Sequence, residues 1–246
     1  MIMEKQVNIA SYLDSTYLKT AAESGISEIE TKEIVVNSIK EAIDAKFACI
    51  MIRSEFIAIA KELIETSKSK LKVGTVVDFP FGNSTTKLKI TEAKLAVESG
   101  AYDIDYVCDY NAFKRGDFAK FDADILEGTR LVLANKKIVK WIIETGALSA
   151  DEIKAIAKRI SKLVQSNFPK NANKVFIKTS TGYYGGYGAT VKDVKAIKSV
   201  AGNLQIKASG GMSSLNDCLE MIKAGANRIG TSKAVFIYNQ SLENEF

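Results

Sequence analysis

The stretch VFIKTSTG at residues 175–182 and the stretch QIKASGG at residues 205–211 decide the fold that we predict. Each begins as a short apolar run typical of a buried strand, and each ends in small polar residues and glycine. A segment with helical spacing of apolar residues, 190–200, lies between them. A strand, a helix and a second strand in this order predict a parallel pair joined by a right-handed crossover.

The same alternation extends over the rest of the chain. Other helix-like segments lie at residues 31–44, 86–99, 149–165 and 213–224. Eight short apolar runs have strand character, at residues 9–13, 47–52, 73–79, 104–107, 138–143, 175–179, 205–208 and 228–230. Eight such units in 246 residues favour an α/β fold, a single (β/α)₈ TIM barrel, which takes about 250 residues. An open doubly wound sheet fits the pattern as well, and two small domains fit the length. No linker interrupts the pattern, so we predict one domain over residues 1–246.

Composition excludes several classes of function. The chain has no histidine, which excludes serine–histidine triads, cysteine–histidine dyads and histidine-ligated metals. Its 34 basic and 29 acidic residues are dispersed, so we expect no nucleic-acid partner, although the net charge of +5 slightly favours anionic substrates. Three cysteines without a CxxC pair predict reduced, buried thiols in a cytoplasmic protein. We expect neither a signal peptide nor a membrane span.

Two lysines end neighbouring predicted strands. Active sites of these barrels lie at the carboxyl ends of the strands, where Lys178 and Lys207 would stand side by side. Burial and a like-charged neighbour both lower the pKa of a lysine, and a neutral amine can attack a carbonyl to form a Schiff base. The alternative is that one or both lysines reach solvent, or pair with aspartate in a purely structural network.

Glycines near the end of the chain indicate a phosphate site. Gly210 and Gly211 follow the seventh predicted strand, and Gly230-Thr-Ser232 ends the eighth. The loops after these two strands commonly bind phosphate in such barrels, whereas a Gly-Gly pair alone is more often an ordinary turn. The run TGYYGGYG at residues 181–188 predicts a mobile loop over the barrel mouth. Its tyrosines either cover substrate or serve only to pack the loop.

The pair KTSTG at 178–182 and KASGG at 207–211 resembles the deoxyribose-phosphate aldolase family of class I aldolases. Five further segments resemble the family in the same order along nearly the whole chain: LDSTYLK at 13–19, VVDFPFG at 76–82, AYDID at 101–105, KWIIETG at 140–146 and GANRIGTS at 225–232. The resemblance implies a carbon–carbon lyase that needs no metal or other cofactor. It would reversibly cleave 2-deoxy-D-ribose 5-phosphate into D-glyceraldehyde 3-phosphate and acetaldehyde, in deoxyribonucleoside and deoxyribose phosphate catabolism.

The resemblance also implies a role for individual residues. Lys178 would form the Schiff base, Lys207 would be the cation that lowers its pKa and relays protons, and Asp105 would exchange protons through an ordered water. Five residues map to phosphate-binding positions: Thr181, Gly182, Gly210, Gly211 and Ser232. Three more are further candidates for the site: Asp14, Thr16 and Lys140. The expected partners are a phosphorylated sugar, a small aldehyde and a second copy of the chain in a homodimer.

The chain departs from the family pattern at a few positions. Ser15 stands where many members have histidine, and Asp78 stands where glycine is commoner. The chain ends in Phe246, where some members have a tyrosine thought to reach the active site. Two alternatives to the predicted reaction remain: another class I aldolase or transaldolase with a different phosphorylated substrate, and a non-catalytic phosphosugar-binding barrel.

Overall fold

Eight parallel strands form a closed barrel in the order of the sequence. The computed structural model describes residues 7–243. Each strand pairs with the next, and the eighth pairs with the first. The strands are β1 (Leu13–Tyr17), β2 (Cys49–Ile52), β3 (Lys72–Val77), β4 (Asp103–Val107), β5 (Ile138–Ile142), β6 (Val175–Lys178), β7 (Gln205–Ser209) and β8 (Arg228–Thr231). The predicted (β/α)₈ barrel is confirmed and the open sheet is excluded, while the single domain over 1–246 stays a prediction.

Helices lie on the outside of the barrel. They are α1 (Ala21–Ser24), α2 (Glu28–Asp44), α3 (Ile57–Thr66), α4 (Thr86–Ser99), α5 (Tyr110–Arg115), α6 (Phe118–Ala134), α7 (Ala150–Asn167), α8 (Val191–Lys198), α9 (Leu215–Ala224) and α10 (Ala234–Glu243). Capping residues define the helix ends: Ser149 and Glu152 form a reciprocal capping box at α7. Gly100 and Gly225 end α4 and α9 in the left-handed conformation that glycine adopts without steric cost.

The predicted bounds of the first strand, residues 9–13, were wrong. Residues Ile9–Tyr12 form a 3-10 helix, and β1 begins only at Leu13. Ile9 and Ala10 are buried in the core, which explains their apolar signal, because a short apolar run does not distinguish a strand from a buried helical turn. In consequence Asp14 lies within β1 rather than at its end.

The third predicted strand was two residues too long. It ends at Val77, because Asp78 has a φ of 54° that breaks the extended backbone. Five helices in the described residues had no predicted counterpart: α1, α3, α5, α6 and α10. The five helices that were predicted agree with the structure to within a few residues at each end.

Side chains alternate between the two faces of each strand, and the two faces differ in polarity. On β4, Ile104 and Tyr106 belong to the apolar core shared with the helices, and Tyr106 stacks on Trp141 with ring centroids 4.6 Å apart. Asp103 and Asp105 alternate with them and face the barrel interior, where both are fully buried. Because a buried charge is costly unless it is paired, the interior must supply cations.

The remaining compositional predictions have mixed outcomes. The three cysteines are unpaired and buried, as predicted. Within residues 7–243 the structure contains no helix that is both long and apolar enough to cross a membrane. The cytoplasmic location stays a prediction.

Candidate active site

Two lysines and one aspartate meet at the carboxyl ends of β4, β6 and β7. Lys178 and Lys207 are register partners on β6 and β7. Their ammonium groups contact the same atom, because each Nζ lies 2.9 Å from Asp105 Oδ2. None of the three side chains is more than 4% exposed. The structure therefore brings together the three residues that the sequence singled out for the chemistry.

Lys140 extends this cluster towards the opposite end of the barrel. Its Nζ lies 3.0 Å from Asp105 Oδ1 and 2.5 Å from Asp103 Oδ2. Arg228 donates from Nε to Asp14 Oδ1 at 2.6 Å, and Lys207 Nζ lies 2.7 Å from Asp14 Oδ2. Lys140 is fully buried and lies within 4.0 Å of three carboxylates, those of Asp14, Asp103 and Asp105.

The complete cluster forms one buried ion network. It contains three carboxylates and four cations, so its formal charge is +1 when every group is ionised: Asp14, Asp103, Asp105, Lys140, Lys178, Lys207 and Arg228. The sequence analysis missed Asp103 and Arg228. The period of two along a strand could have found Asp103, because it faces the same side as Asp105.

The pKa of Lys178 is lowered to about 8. Burial is the main cause, and the ammonium groups of Lys207 and Lys140 act in the same direction, whereas Asp105 opposes them. The pKa of Lys140 is instead raised, because Asp103, Asp105 and Asp14 together outweigh its burial. The predicted structural pairing with aspartate is therefore real, but it leaves Lys178 with an amine that can lose its proton near neutral pH.

Two carboxylates of the network, those of Asp105 and Asp14, are held in their ionised form. Burial alone would raise the pKa of Asp105, but the ammonium groups of Lys140, Lys178 and Lys207 hold it well below the usual range. Burial also opposes ionisation of Asp14, where Arg228 and the lysines have the larger combined effect and lower the pKa. At neutral pH these aspartates accept hydrogen bonds and do not donate them.

One group of side chains in residues 7–243 has a spacing that could hold a metal ion. The ligand atoms of Asp14, Cys49 and Asp103 lie within 4.8 Å of one another. Both carboxylates already bind Lys140 and Arg228, and burial raises the pKa of the Cys49 thiol well above its usual value. A divalent cation would have to displace ammonium and guanidinium groups, so this donor set does not fit one.

A cavity of about 670 Å³ opens above the network at the carboxyl end of the barrel. Lys178 lies on its wall, as do Thr16 and all five predicted phosphate residues, Thr181, Gly182, Gly210, Gly211 and Ser232. Tyr183 of the tyrosine-rich run also lines the cavity, as do Lys19 and Lys233, which were not selected as site residues from the sequence. Asp14, Lys140, Lys207 and Asp105 lie below the cavity lining, within the network.

Three glycines present their backbone to the cavity in the left-handed region. Gly182, Gly210 and Gly211 have φ values of 84°, 85° and 78°. Within residues 7–243 no protein acceptor takes a hydrogen bond from their N–H groups. Two loops touch here, because a Cβ on Gly188 would collide with the carbonyl oxygen of Gly210. Such backbone donors can bind an anion.

Thr181 makes its polar contacts with Glu144, a residue that the sequence analysis did not select. Thr181 Oγ1 donates to Glu144 Oε2 at 2.5 Å, and the Thr181 N–H donates to the same oxygen at 3.2 Å. Burial raises the pKa of Glu144, although both hydrogen bonds from Thr181 oppose this shift. Burial of a carboxyl group after a strand leaves no mark in the local sequence, so only the structure reveals this contact.

Two departures from the family pattern, Ser15 and Asp78, lie outside the cavity lining. Ser15 alternates with the inward-facing Asp14 and Thr16, so its side chain is on the other face of β1. Asp78 adopts the left-handed conformation that glycine prefers, and its carboxylate accepts from Ser84 N and Oγ at 2.9 and 2.8 Å. Phe246 lies outside the described residues.

The tyrosine-rich loop divides into a part that faces the cavity and a part that packs elsewhere. Tyr183 lines the cavity and makes an edge-to-face contact with Phe79, with centroids 5.0 Å apart. Tyr184 packs edge-to-face on Tyr110. The packing function is thus present, whereas the covering of substrate by a tyrosine and the mobility of the loop stay predictions.

Comparisons with known proteins identify the family. No family model matches the chain. A curated protein from Caldanaerobacter subterraneus, named deoxyribose-phosphate aldolase, is 40% identical over 239 residues, which cover 96% of this chain and 95% of the relative. Another of that name from Thermococcus gammatolerans is 37% identical over 232 residues, which cover 94% and 95%. The chain belongs to the deoxyribose-phosphate aldolase family.

A solved structure agrees with this assignment. The deoxyribose phosphate aldolase from Aeropyrum pernix, described as having a unique tetrameric structure, is 27% identical and superposes with a TM-score of 0.78. The match covers 97% of this chain and 92% of that one. The predicted family and lyase class are confirmed, and the protein is an aldolase. The roles of individual residues in the site stay predictions.

Proposed function

We propose that this aldolase reversibly cleaves 2-deoxy-D-ribose 5-phosphate into D-glyceraldehyde 3-phosphate and acetaldehyde, in the catabolism of deoxyribonucleosides and deoxyribose phosphate. One observation carries the proposal: Lys178, with a pKa lowered to about 8, lies at a cavity whose wall contains three free glycine N–H groups. An amine that can attack a carbonyl and donors that can bind phosphate are thus combined in one cavity. The names of the relatives support the same substrate.

The chemistry begins at Lys178 Nζ. The neutral amine attacks C1 of the open-chain sugar, and loss of water gives an iminium ion. A base takes the proton of the 3-hydroxyl, the C2–C3 bond breaks, and its electron pair moves to the iminium to form an enamine. D-glyceraldehyde 3-phosphate leaves, C2 of the enamine takes up a proton, and hydrolysis releases acetaldehyde and the lysine.

Lys207 and Asp105 would manage the protons of this cycle. Lys207 Nζ is 2.9 Å from the same Asp105 oxygen that Lys178 contacts, so a proton can pass among these groups and an ordered water. Asp105 is held ionised and suits the role of acceptor, whereas the Lys207 ammonium is a donor. We propose no metal or organic cofactor, because the lysine itself supplies the electron sink.

The phosphate would bind at the other side of the cavity. Gly182, Gly210 and Gly211 line the cavity and their N–H groups have no protein acceptor within residues 7–243, and Ser232 lies two residues before the start of α10. A helix N-terminus attracts anions through its dipole and its unpaired N–H groups. Lys233, beside Ser232 on the cavity wall, would add a positive charge.

A coupled assay tests the substrate. Purified protein with 2-deoxy-D-ribose 5-phosphate should release acetaldehyde and D-glyceraldehyde 3-phosphate in equal amounts, measured by NADH oxidation with separate coupling enzymes. A phosphorylated ketose cleaved with a higher kcat/KM would instead favour another class I aldolase or a transaldolase. Absence of any cleavage in a folded sample would favour a non-catalytic sugar-phosphate-binding barrel.

We further propose that the protein acts as a homo-oligomer in the cytoplasm. The sequence analysis predicts a homodimer, and the Aeropyrum pernix relative is described as tetrameric. Light scattering of the purified protein should give twice the monomer mass of 26.8 kDa if the dimer prediction holds.

A further inference from the structure

Glu144 occupies a strained position two residues after the end of β5. Its φ is 57°, in the left-handed region that non-glycine residues rarely adopt. Its side chain is nevertheless buried, with only 1% of its surface exposed. A non-glycine residue in this conformation is strained, so the surrounding contacts must hold it there.

The Glu144 carboxylate anchors the turn that follows β6. It accepts hydrogen bonds from the backbone N–H and the hydroxyl of Thr181, at 3.2 and 2.5 Å. Thr181 Oγ1 in turn accepts from the N–H of Tyr183 at 3.0 Å. Gly182 stands between these two bonded residues, so the direction of its N–H depends on the Glu144 contact.

Thr145, the next residue, also connects the end of β5 to the turn that follows β6. The Thr145 N–H donates to the Thr179 carbonyl at 2.9 Å, and Thr145 Oγ1 lies 3.0 Å from Ser180 Oγ. Residues 144–145 therefore hold residues 179–181 through both backbone and side-chain contacts. The turn after β6 therefore makes these hydrogen bonds with the end of β5 and not with solvent.

Thr181 has little hydrogen-bonding capacity left for a ligand. Its N–H and its hydroxyl hydrogen both go to Glu144, and its Oγ1 also accepts from Tyr183. The Gly182 N–H, by contrast, has no protein acceptor within residues 7–243. The phosphate contact of this turn would therefore come from Gly182, and the contribution of Thr181 would be indirect.

We propose that Glu144 is a positioning residue for the phosphate group of the substrate. Through Thr181 it aims the Gly182 N–H into the cavity, and so it determines how tightly phosphorylated sugars bind without changing the chemistry at Lys178. The inference rests on the proposed function, because it assumes a phosphorylated substrate in this cavity.

Steady-state kinetics of two variants tests the proposal. In Glu144→Ala and in Thr181→Val, the KM for 2-deoxy-D-ribose 5-phosphate should rise at least tenfold while kcat stays within about threefold. Labelling of Lys178 by acetaldehyde and borohydride, which involves no phosphate, should proceed at the wild-type rate. Glu144→Gln keeps an oxygen that can accept from Thr181 and should restore most of the affinity.

A double variant checks that the two residues act as a unit. Residues in one hydrogen-bond chain give non-additive effects. Glu144→Ala combined with Thr181→Val should therefore raise the KM no further than Glu144→Ala alone. Multiplied effects would show independent roles and would overturn the proposed coupling.

Glu92→Ala is the matched control. Glu92 Oε2 accepts a hydrogen bond from the N–H of Asp78 at 2.9 Å. Asp78 resembles Glu144 in that it follows a strand and has a positive φ. Glu92 does not line the cavity. The KM of the Glu92→Ala variant for 2-deoxy-D-ribose 5-phosphate should stay at the wild-type value. An unchanged KM in Glu144→Ala, or an equal loss with acetaldehyde, would overturn the proposal. If Glu144→Ala fails to fold, Thr181→Val and Glu144→Gln decide it, and failure of wild-type cleavage would refute only the proposed reaction.

Discussion

The three lysines of the buried ion network differ in how many carboxylates each one contacts. Within the described residues, Lys140 lies within 4.0 Å of three carboxylates, Lys207 of two and Lys178 only of Asp105. Each carboxylate partner stabilises the ammonium form, whereas burial destabilises it. This gradient explains why the amine with one partner, at the cavity wall, is the one whose pKa falls to about 8.

The pKa of Lys178 predicts a pH dependence. A group with a lowered pKa is protonated below that value, so kcat/KM should fall about tenfold per unit as the pH drops below about 8. In Lys207→Leu a neighbouring positive charge is lost, so the pKa of Lys178 should rise and activity should fall by orders of magnitude. The pH dependence of acetaldehyde labelling at Lys178 measures the pKa in both proteins.

A surface substitution provides the control for this pH experiment. Lys192 is exposed on α8 and belongs to none of the ion pairs of the network, so Lys192→Leu removes the same charge without removing a member of the network. The pH profile of acetaldehyde labelling at Lys178 in Lys192→Leu should match the wild-type profile. A Lys207→Leu protein with near-wild-type turnover, or with an unchanged labelling pKa, would contradict the role given to the neighbouring cation.

At the scale of elements, strand ends were easier to predict than the contacts between loops. Lys178 and Lys207 could be placed side by side because each ends an apolar strand, and neighbouring parallel strands end at the same edge. The start of β1 was wrong because burial of Ile9 looks the same in a helical turn and in a strand. The Glu144–Thr181 contact could not be predicted, because 37 residues separate its partners.

The contact between the β6 and β7 loops gives a prediction at this scale. In Gly188→Ala the new Cβ would collide with the carbonyl of Gly210, whereas in Gly186→Ala the new Cβ meets no atom within 4 Å. We expect Gly188→Ala to displace the Gly210 N–H and to raise the KM for the phosphorylated sugar about tenfold or more. Gly186→Ala should keep the wild-type KM, with a stability loss of about 1 kcal/mol from its φ of 76°.

The predicted rise in KM of Gly188→Ala comes from the collision with Gly210 and not from a stiffer loop. Steady-state KM measurements and thermal unfolding on both variants separate the two causes. Equal KM values in the two variants would contradict a specific contact between the loops.

At the scale of the molecule, the barrel was predictable but its ion network was not. Alternating segments and length indicated eight strands and favoured a closed barrel, and the pairing of β8 with β1 in the structure excludes the open sheet. The network depends on closure, because Asp14 and Arg228 are 214 residues apart and meet only where β8 pairs with β1. No local pattern contains that information.

The network also predicts how the whole fold responds to loss of one cation. Lys140→Met leaves Asp103 and Asp105 buried with fewer partners, and removal of one member of a buried pair typically costs about 3–5 kcal/mol. Urea unfolding should show a loss of this size in the free energy of unfolding. Lys94→Met, which removes an exposed pair with Glu98, should cost less than about 0.5 kcal/mol. Equal losses would contradict the structural role of Lys140.

Covalent trapping tests the central claim most directly. The protein is incubated with 2-deoxy-D-ribose 5-phosphate and borohydride, digested, and analysed by peptide mass spectrometry. We predict a reduced adduct on Lys178 and none on Lys140 or Lys207, because only Lys178 combines a lowered pKa with a place on the cavity wall. An active protein that yields no adduct, or an adduct on Lys207 alone, would contradict the account.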